Sequence, residues 1–168
     1  MSLRFLVPAL LVGTSLVVGA CSSDSSGGGG TTGGCKEFTT TADLTTPQVS
    51  FKTDVFPIFG ASCGLSTSCH GSKTSSQSGL YLGSRTETDI SGVRNGIVGK
   101  ASVAISMPII TASDPKNSYL MRKMDGDQCA LKCNGGDCKR SMPDGSDVLS
   151  EDKRLVVRRW IAQGAKDN

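Results

Sequence analysis

The residues whose types and spacing could do chemistry lie together in Cys63-Gly64-Leu65-Ser66-Thr67-Ser68-Cys69-His70, two cysteines followed by the chain's only histidine. Two thiols can bond the edge of a porphyrin, and an imidazole directly after the second thiol can reach its iron. The usual pattern has two residues between the cysteines, whereas here there are five, Gly64 to Ser68. The vinyl positions of a porphyrin are a fixed distance apart, so the longer loop must bulge while Cys69 and His70 stay in place. Gly64 and the small hydroxyl side chains permit such a bulge. The same two cysteines could instead close on each other as a local disulfide.

The elements that must position this loop are short. Thr53 or Asp54 is a candidate N-cap for a helix over Asp54 to Ala61, with Pro57 in the first turn, where its missing N–H would be unpaired anyway. Gly60 is expected to break that helix, and a Ser/Gly-rich loop follows His70. Leu80-Tyr81-Leu82 reads as a brief extended segment. Ser91 to Ser102 has helical spacing at Val93 and Ile97, weakened by Gly96 and Gly99, and Met107 to Ile110 reads as a short buried run. Ser113-Asp114-Pro115 is a helix-start pattern, giving a helix from Pro115 to about Asp125 that Gly126 ends. The clearest helix is the last. Ser150 is a good N-cap, Glu151 and Asp152 suit the positive end of the helix dipole, Leu155, Val156, Trp160 and Ile161 form one stripe, and Gly164 is the stop.

The chain opens with one basic residue, Arg4, and an uncharged, mostly apolar run that ends in Val18-Gly19-Ala20 before Cys21. This reads as a secretory signal. Small residues before a cysteine are similar to the lipobox of bacterial lipoproteins, which implies lipidation of Cys21 and a stable anchor without a spanning helix. The alternative is an ordinary signal cut nearby. Residues 21–45 are expected to be the lipidated cysteine and a linker, flexible by its Gly/Ser composition, and residues 46–168 one small domain. With 18 Lys and Arg against 15 Asp and Glu, and no basic block longer than a pair such as Lys139-Arg140, nucleic acid is not an expected partner.

Aromatic residues are few, so stability must come from disulfides or from a cofactor that completes the core. Beyond Cys21 there are Cys35, Cys63, Cys69, Cys129, Cys133 and Cys138. With haem on Cys63 and Cys69, the other four make two disulfides, one tying Cys35 to the Cys129–Cys138 loop. Without haem, six make three. An exported location permits both, and makes disulfides the better expectation than a zinc site built from Cys129, Cys133, Cys138 and His70.

Four blocks taken in order resemble the small c-type cytochrome domains of secreted planctomycete and myxobacterial proteins. They are Val55-Phe56-Pro57-Ile58 ahead of Cys63 and Cys69-His70-Gly71; Gly79-Leu80-Tyr81-Leu82; Asp114-Pro115-Lys116-Asn117-Ser118-Tyr119-Leu120 with Lys123; and Met142-Pro143-Asp144-Gly145 with Leu149-Ser150 and Arg159 to Ala165. The resemblance covers roughly residues 50 to 166. It implies an all-α, cytochrome c-like fold in which the first and last helices cross. It also implies one covalent haem c on Cys63 and Cys69, with His70 as proximal and Met142 as distal iron ligand. A His/Met pair raises the potential of haem iron and leaves no open position for substrate. Met107 is a competing methionine before proline, and Met121 and Met124 suit core packing better.

Two functions are therefore expected. The first is a lipid-anchored mono-haem protein passing single electrons between redox protein partners on the periplasmic or cell-surface side of a membrane. The alternative is a haem-free, disulfide-stapled lipoprotein of the same fold, a binding or structural module in which Cys63 and Cys69 pair. No enzyme is expected, because there is no recognisable carboxylate pair and no nucleophile with an evident base.

Overall fold

Ser50 starts the first helical segment. Its hydroxyl accepts the Thr53 N–H at 3.2 Å, while Asp54 Oδ2 accepts the Ser50 N–H at 2.8 Å. This reciprocal pairing satisfies two donors at once. Two further first-turn donors are met from the far end of the chain. Asn168 Oδ1 accepts the Phe51 N–H at 2.9 Å, and the Asn168 carbonyl accepts the Lys52 N–H at 3.0 Å. The segment therefore begins at Phe51 and not at Asp54. A wide π-helical turn, Phe51–Val55, leads into α1, Phe56–Ser62, which runs through Gly60 and not only up to it.

In this computed structural model, residues 35–145 and 147–168 are described; the expected signal segment and Cys21 lie outside them. Among the described residues the protein is all-α. It has α1, α2 (Ile90–Asn95), α3 (Tyr119–Asp125), α4 (Glu151–Ala162) and short helical turns, with no strand. None of these helices is long and apolar enough to cross a membrane.

The sequence pattern overextends two helices. α2 stops at Asn95, because Gly96 caps it and Gly99 takes a left-handed φ of 69°. Val98 and Ala101 then form isolated bridges to Ile110 and Pro108. Of Met107 to Ile110 only Ile110 is fully buried. α3 starts at Tyr119, not Pro115. Asp114 Oδ1 accepts the Asn117 N–H at 3.1 Å, and the buried Ser118 hydroxyl donates to the Asp114 carbonyl at 2.8 Å, so the apparent helix start is a side-chain-bonded turn. The end of α3 follows expectation, with Gly126 at φ 77°. In α4 Ser150 is the N-cap residue without a side-chain capping bond. The stripe is rotated from the expected one: Val157, Trp160 and Ile161 are fully buried, whereas Leu155 and Val156 are half-buried.

The core forms where the first and last helical segments pack. Phe51 and Trp160 are both 0% exposed, with ring centroids 4.9 Å apart, and Phe59 meets Phe51 edge-on at 6.2 Å. Met121, Met124, Leu82, Ile97 and Ile110 complete the cluster.

The domain's contacts begin at Cys35, so residues 35–45 do not behave as linker. Cys35 is disulfide-bonded to Cys129. Phe38 donates its N–H to Asp127 at 2.8 Å, and its ring lies under the guanidinium groups of Arg154 and Arg158, at 4.9 and 4.5 Å. Glu37 pairs with Arg122 at 3.0 Å. Arg122 Nε and Asp127 Oδ1 are 2.9 Å apart, an ion pair off hydrogen-bond alignment. The second disulfide, Cys133–Cys138, closes a short hairpin.

These two disulfides should differ in worth, because one spans 94 residues and the other 5. In the chain-entropy account, removing Cys35–Cys129 by double serine substitution should cost about 4.7 kcal/mol, and removing Cys133–Cys138 about 2 kcal/mol. Urea denaturation of the two variants checks the order.

Candidate functional site

α1 delivers Cys63 to the end of its buried face, in the core cluster with Phe59 and Leu82. The chain then turns back on itself. The Cys63 and Gly64 N–H groups both reach the Phe59 carbonyl at 2.8 Å, and the Cys69 N–H reaches Ser66 at 3.2 Å. The His70 N–H bonds the Cys63 carbonyl at 3.0 Å, closing the five-residue excursion into a ring. Leu65 projects from it, 55% exposed.

Glycine makes this closure possible. A Cβ on Gly64 would collide with the Gly83 carbonyl oxygen, and one on Gly71 would lie 2.5 Å from the Gly64 carbonyl oxygen. Gly83 itself has φ 88°, and a Cβ there would be 2.5 Å from the Phe56 ring. Three backbones thus touch where no side chain fits.

Cys63, Cys69 and His70 are brought together, all buried. Cys63 is a free thiol, and burial pushes its pKa up to about 12, so it is an un-ionised, poorly nucleophilic sulfur. Cys69 is disulfide-bonded, and its sulfur accepts from the Ser66 hydroxyl at 3.4 Å. The two do not form the local disulfide of the haem-free expectation, because Cys63 faces the core as a free thiol.

His70 Nδ1 lies 2.9 Å from the Leu80 carbonyl oxygen. A carbonyl only accepts, so Nδ1 carries the hydrogen and Nε2 of the neutral ring carries a lone pair. Burial lowers the imidazole's pKa. The Leu80 hydrogen bond opposes that shift, and the nearby Lys123 charge adds to it. Leu82 donates its N–H to the His70 carbonyl at 2.9 Å, so the Leu80–Leu82 segment grips His70 by backbone and by side chain.

Lys123 lies near enough for its charge to be felt at His70, and it holds the segment of the expected methionine. Its buried ammonium donates to the Cys138 carbonyl at 2.7 Å and to the Arg140 carbonyl. Its own carbonyl accepts the Met142 N–H at 2.9 Å. Burial brings the Lys123 pKa down to about 8, against the pull of Asp144 and Asp137. Met142 is half-buried, and its backbone is held by Lys123. Cys35, Cys129, Cys133 and Cys138 are all in disulfides, so they build no zinc site with His70. Cys21 lies outside the described residues.

As a set to hold haem, the donors fit in kind. A neutral imidazole with its second nitrogen fixed is the form that ligates iron, and Cys63 is a free thiol. Cys69 fits only once its disulfide is reduced. Sequence reasoning missed the Leu80 carbonyl and the role of Lys123, although both lie in blocks that carry the resemblance.

Comparison with family models, curated proteins and solved structures found no match to this chain.

Two predictions follow from this geometry. Gly64→Ala should destabilise the domain by about 3 kcal/mol, since a backbone carbonyl cannot move aside as a side-chain tip can, read as a shift in the denaturation midpoint. His70 is harder to protonate folded than unfolded, where its pKa is near 6.5. The unfolded chain therefore binds more protons in the window below 6.5, and stability falls as pH drops through it toward the lowered folded value. Denaturation curves at stepped pH should show a shallower fall for His70→Asn than for the parent.

Proposed function

We propose that this chain is a lipid-tethered carrier of single electrons, with one haem bound covalently through Cys63 and Cys69 and ligated by His70, in a cytochrome c-like fold. The observation that carries the reading is the His70 arrangement. A buried neutral imidazole beside Cys69 has Nδ1–H committed to the Leu80 carbonyl, and its backbone is tied to Cys63. Packing alone does not call for a histidine directly after Cys69 whose N–H is bonded to the Cys63 carbonyl and whose Nδ1 is held by Leu80. The packing of the first helical segment on the last, through Phe51 and Trp160, agrees with the fold that the resemblance implies.

In this reading Cys63 and Cys69 tether, and His70 supplies Nε2. Lys123 positions the segment that carries Met142, the distal ligand. The haem when bound supplies reversible one-electron chemistry at iron. The protein's redox partners would be proteins on the same side of the membrane, and Cys21 would carry the lipid.

A second reading has its own observation. Cys69 is disulfide-bonded, and the core closes around Phe51 and Trp160 with both at zero exposure. On that basis the domain would be a haem-free surface module held by disulfides.

Production in a periplasm containing haem-attachment machinery separates the two. Electron transfer predicts one haem added to the intact mass, an intense Soret band that survives denaturation, and loss of the native spectrum in His70→Ala. A colourless protein whose mass shows only lost thiol hydrogens would leave the second reading standing.

A further inference from the structure

We propose that Glu87 is a positioning residue for His70: acting through Tyr81 and Lys73, it holds the Leu80 carbonyl against Nδ1 and so fixes the tautomer of the imidazole. This rests on reading the Cys63–His70 loop as the functional site. The bond from His70 to Leu80 closes a ten-residue span whose one helical turn is Gln77–Gly79, and Leu80–Leu82 belongs to no helix or strand. Gly79 and Gly83, at φ 66° and 88°, flank it. Backbones of that kind turn freely unless something else stops them.

The Leu82 N–H on the His70 carbonyl is one stop, and a carboxylate supplies a second, on the Tyr81 side chain that points the other way along the segment. Glu87 Oε2 accepts the Tyr81 hydroxyl and pairs with Lys73 Nζ at 2.9 Å. Its Oε1 accepts the N–H groups of Thr88 and Asp89 at 2.9 and 2.8 Å. Tyr81 is the neighbour of Leu80, and Lys73 lies three residues after His70. Both ends of the His70–Leu80 contact are thus tied to the same side chain. That side chain is only 7% exposed, whereas Lys73 is 59% exposed. Four donors on one sheltered carboxylate make charge-assisted bonds stronger than ordinary loop contacts. They hold its pKa down at about 2, with Tyr81 the largest cause and Lys73 next, so the clamp stays charged at neutral pH. Lys73 also lies over the Tyr81 ring, 5.7 Å from its centroid, closing the third side of the arrangement. Asp89 then caps α2 by accepting the Gly92 N–H at 2.9 Å, which fixes Glu87 to a helix start and not to more loop.

A staple that merely kept the loop closed would affect the whole domain alike; a positioning residue affects one ring. The test is ¹⁵N NMR of the full chain, haem-free, at pH 7.5, reading the His70 tautomer and the exchange of its Nδ1–H. Trp160 Nε1–H, bonded to the Lys166 carbonyl at 2.9 Å, is the internal reference. Glu87→Gln and Tyr81→Phe should each turn a single Nδ1–H tautomer into a mixture and speed Nδ1–H exchange roughly tenfold, the effect of losing one charge-assisted bond, with the Trp160 signal unchanged. An unchanged His70 tautomer in both variants, or equal acceleration at Trp160, would overturn the proposal. If Glu87→Gln does not fold, Tyr81→Phe decides alone by the same criteria. Because no haem is present, failure of haem attachment leaves this result standing, and failure here leaves the haem test untouched.

Discussion

The contact on which the rest depends is that between Phe51 and Trp160. The chain has few aromatic residues, and they are concentrated: Phe51 meets Phe56, Phe59 and Trp160 with centroids between 4.9 and 6.3 Å apart. Aromatic pairs contribute beyond the area they bury, so a thin core gains most by gathering them at one place. That place joins the two ends of the domain. It brings Asn168 onto the start of the first helical segment, where it accepts two otherwise orphaned N–H groups. α1 is thereby fixed at its beginning, and Cys63, at its end, has a defined position.

From Cys63 onward the constraint is space and not attraction. The loop to His70 closes because Gly64, Gly71 and Gly83 let backbone approach backbone. A five-residue spacing between the cysteines would otherwise throw Cys69 away from Cys63. Here the ring is shut by a single hydrogen bond between the Cys63 carbonyl and the His70 N–H. The excess length goes outward, to Leu65 and the serines. The extra residues thus lie on the solvent side while both sulfurs and the imidazole stay buried.

What was legible in the sequence follows the range of the interactions. The bounds of α4 and the Gly126 stop were read correctly because dipole charges and left-handed glycines act over a few residues, whereas the face α4 buries was not. The Cys63–His70 group was legible by residue type alone. The true helix start at Ser50 was not, since Asn168 completes it from the other end of the chain. The over-long α2 failed because Ile97 and its neighbours found bridge partners near Ile110, a tertiary choice that spacing does not report. The packing of residues 35–40 was hidden in the same way. Glu37 and Phe38 look like linker until Arg122, Asp127, Arg154 and Arg158 are gathered beneath them. In the candidate site the histidine was legible, whereas the carbonyl that orients it and the carboxylate behind that carbonyl were not.

The electrostatics of the site carry one more consequence. Lys123 is buried beside His70, and two backbone carbonyls hold its ammonium. One of them belongs to Cys138, whose position the hairpin disulfide fixes. A cation kept in a poorly solvated position acts at closer to full strength than one at the surface. It opposes any second positive charge nearby, and it already does so for the His70 proton. In the proposed reading the same field would oppose loss of an electron from a haem ligated by His70, favouring the reduced form. His/Met ligation, in the proposed reading, pulls the potential the same way. Lys123 thus holds the disulfide hairpin and the Met142 segment by hydrogen bonds while its charge acts on the imidazole.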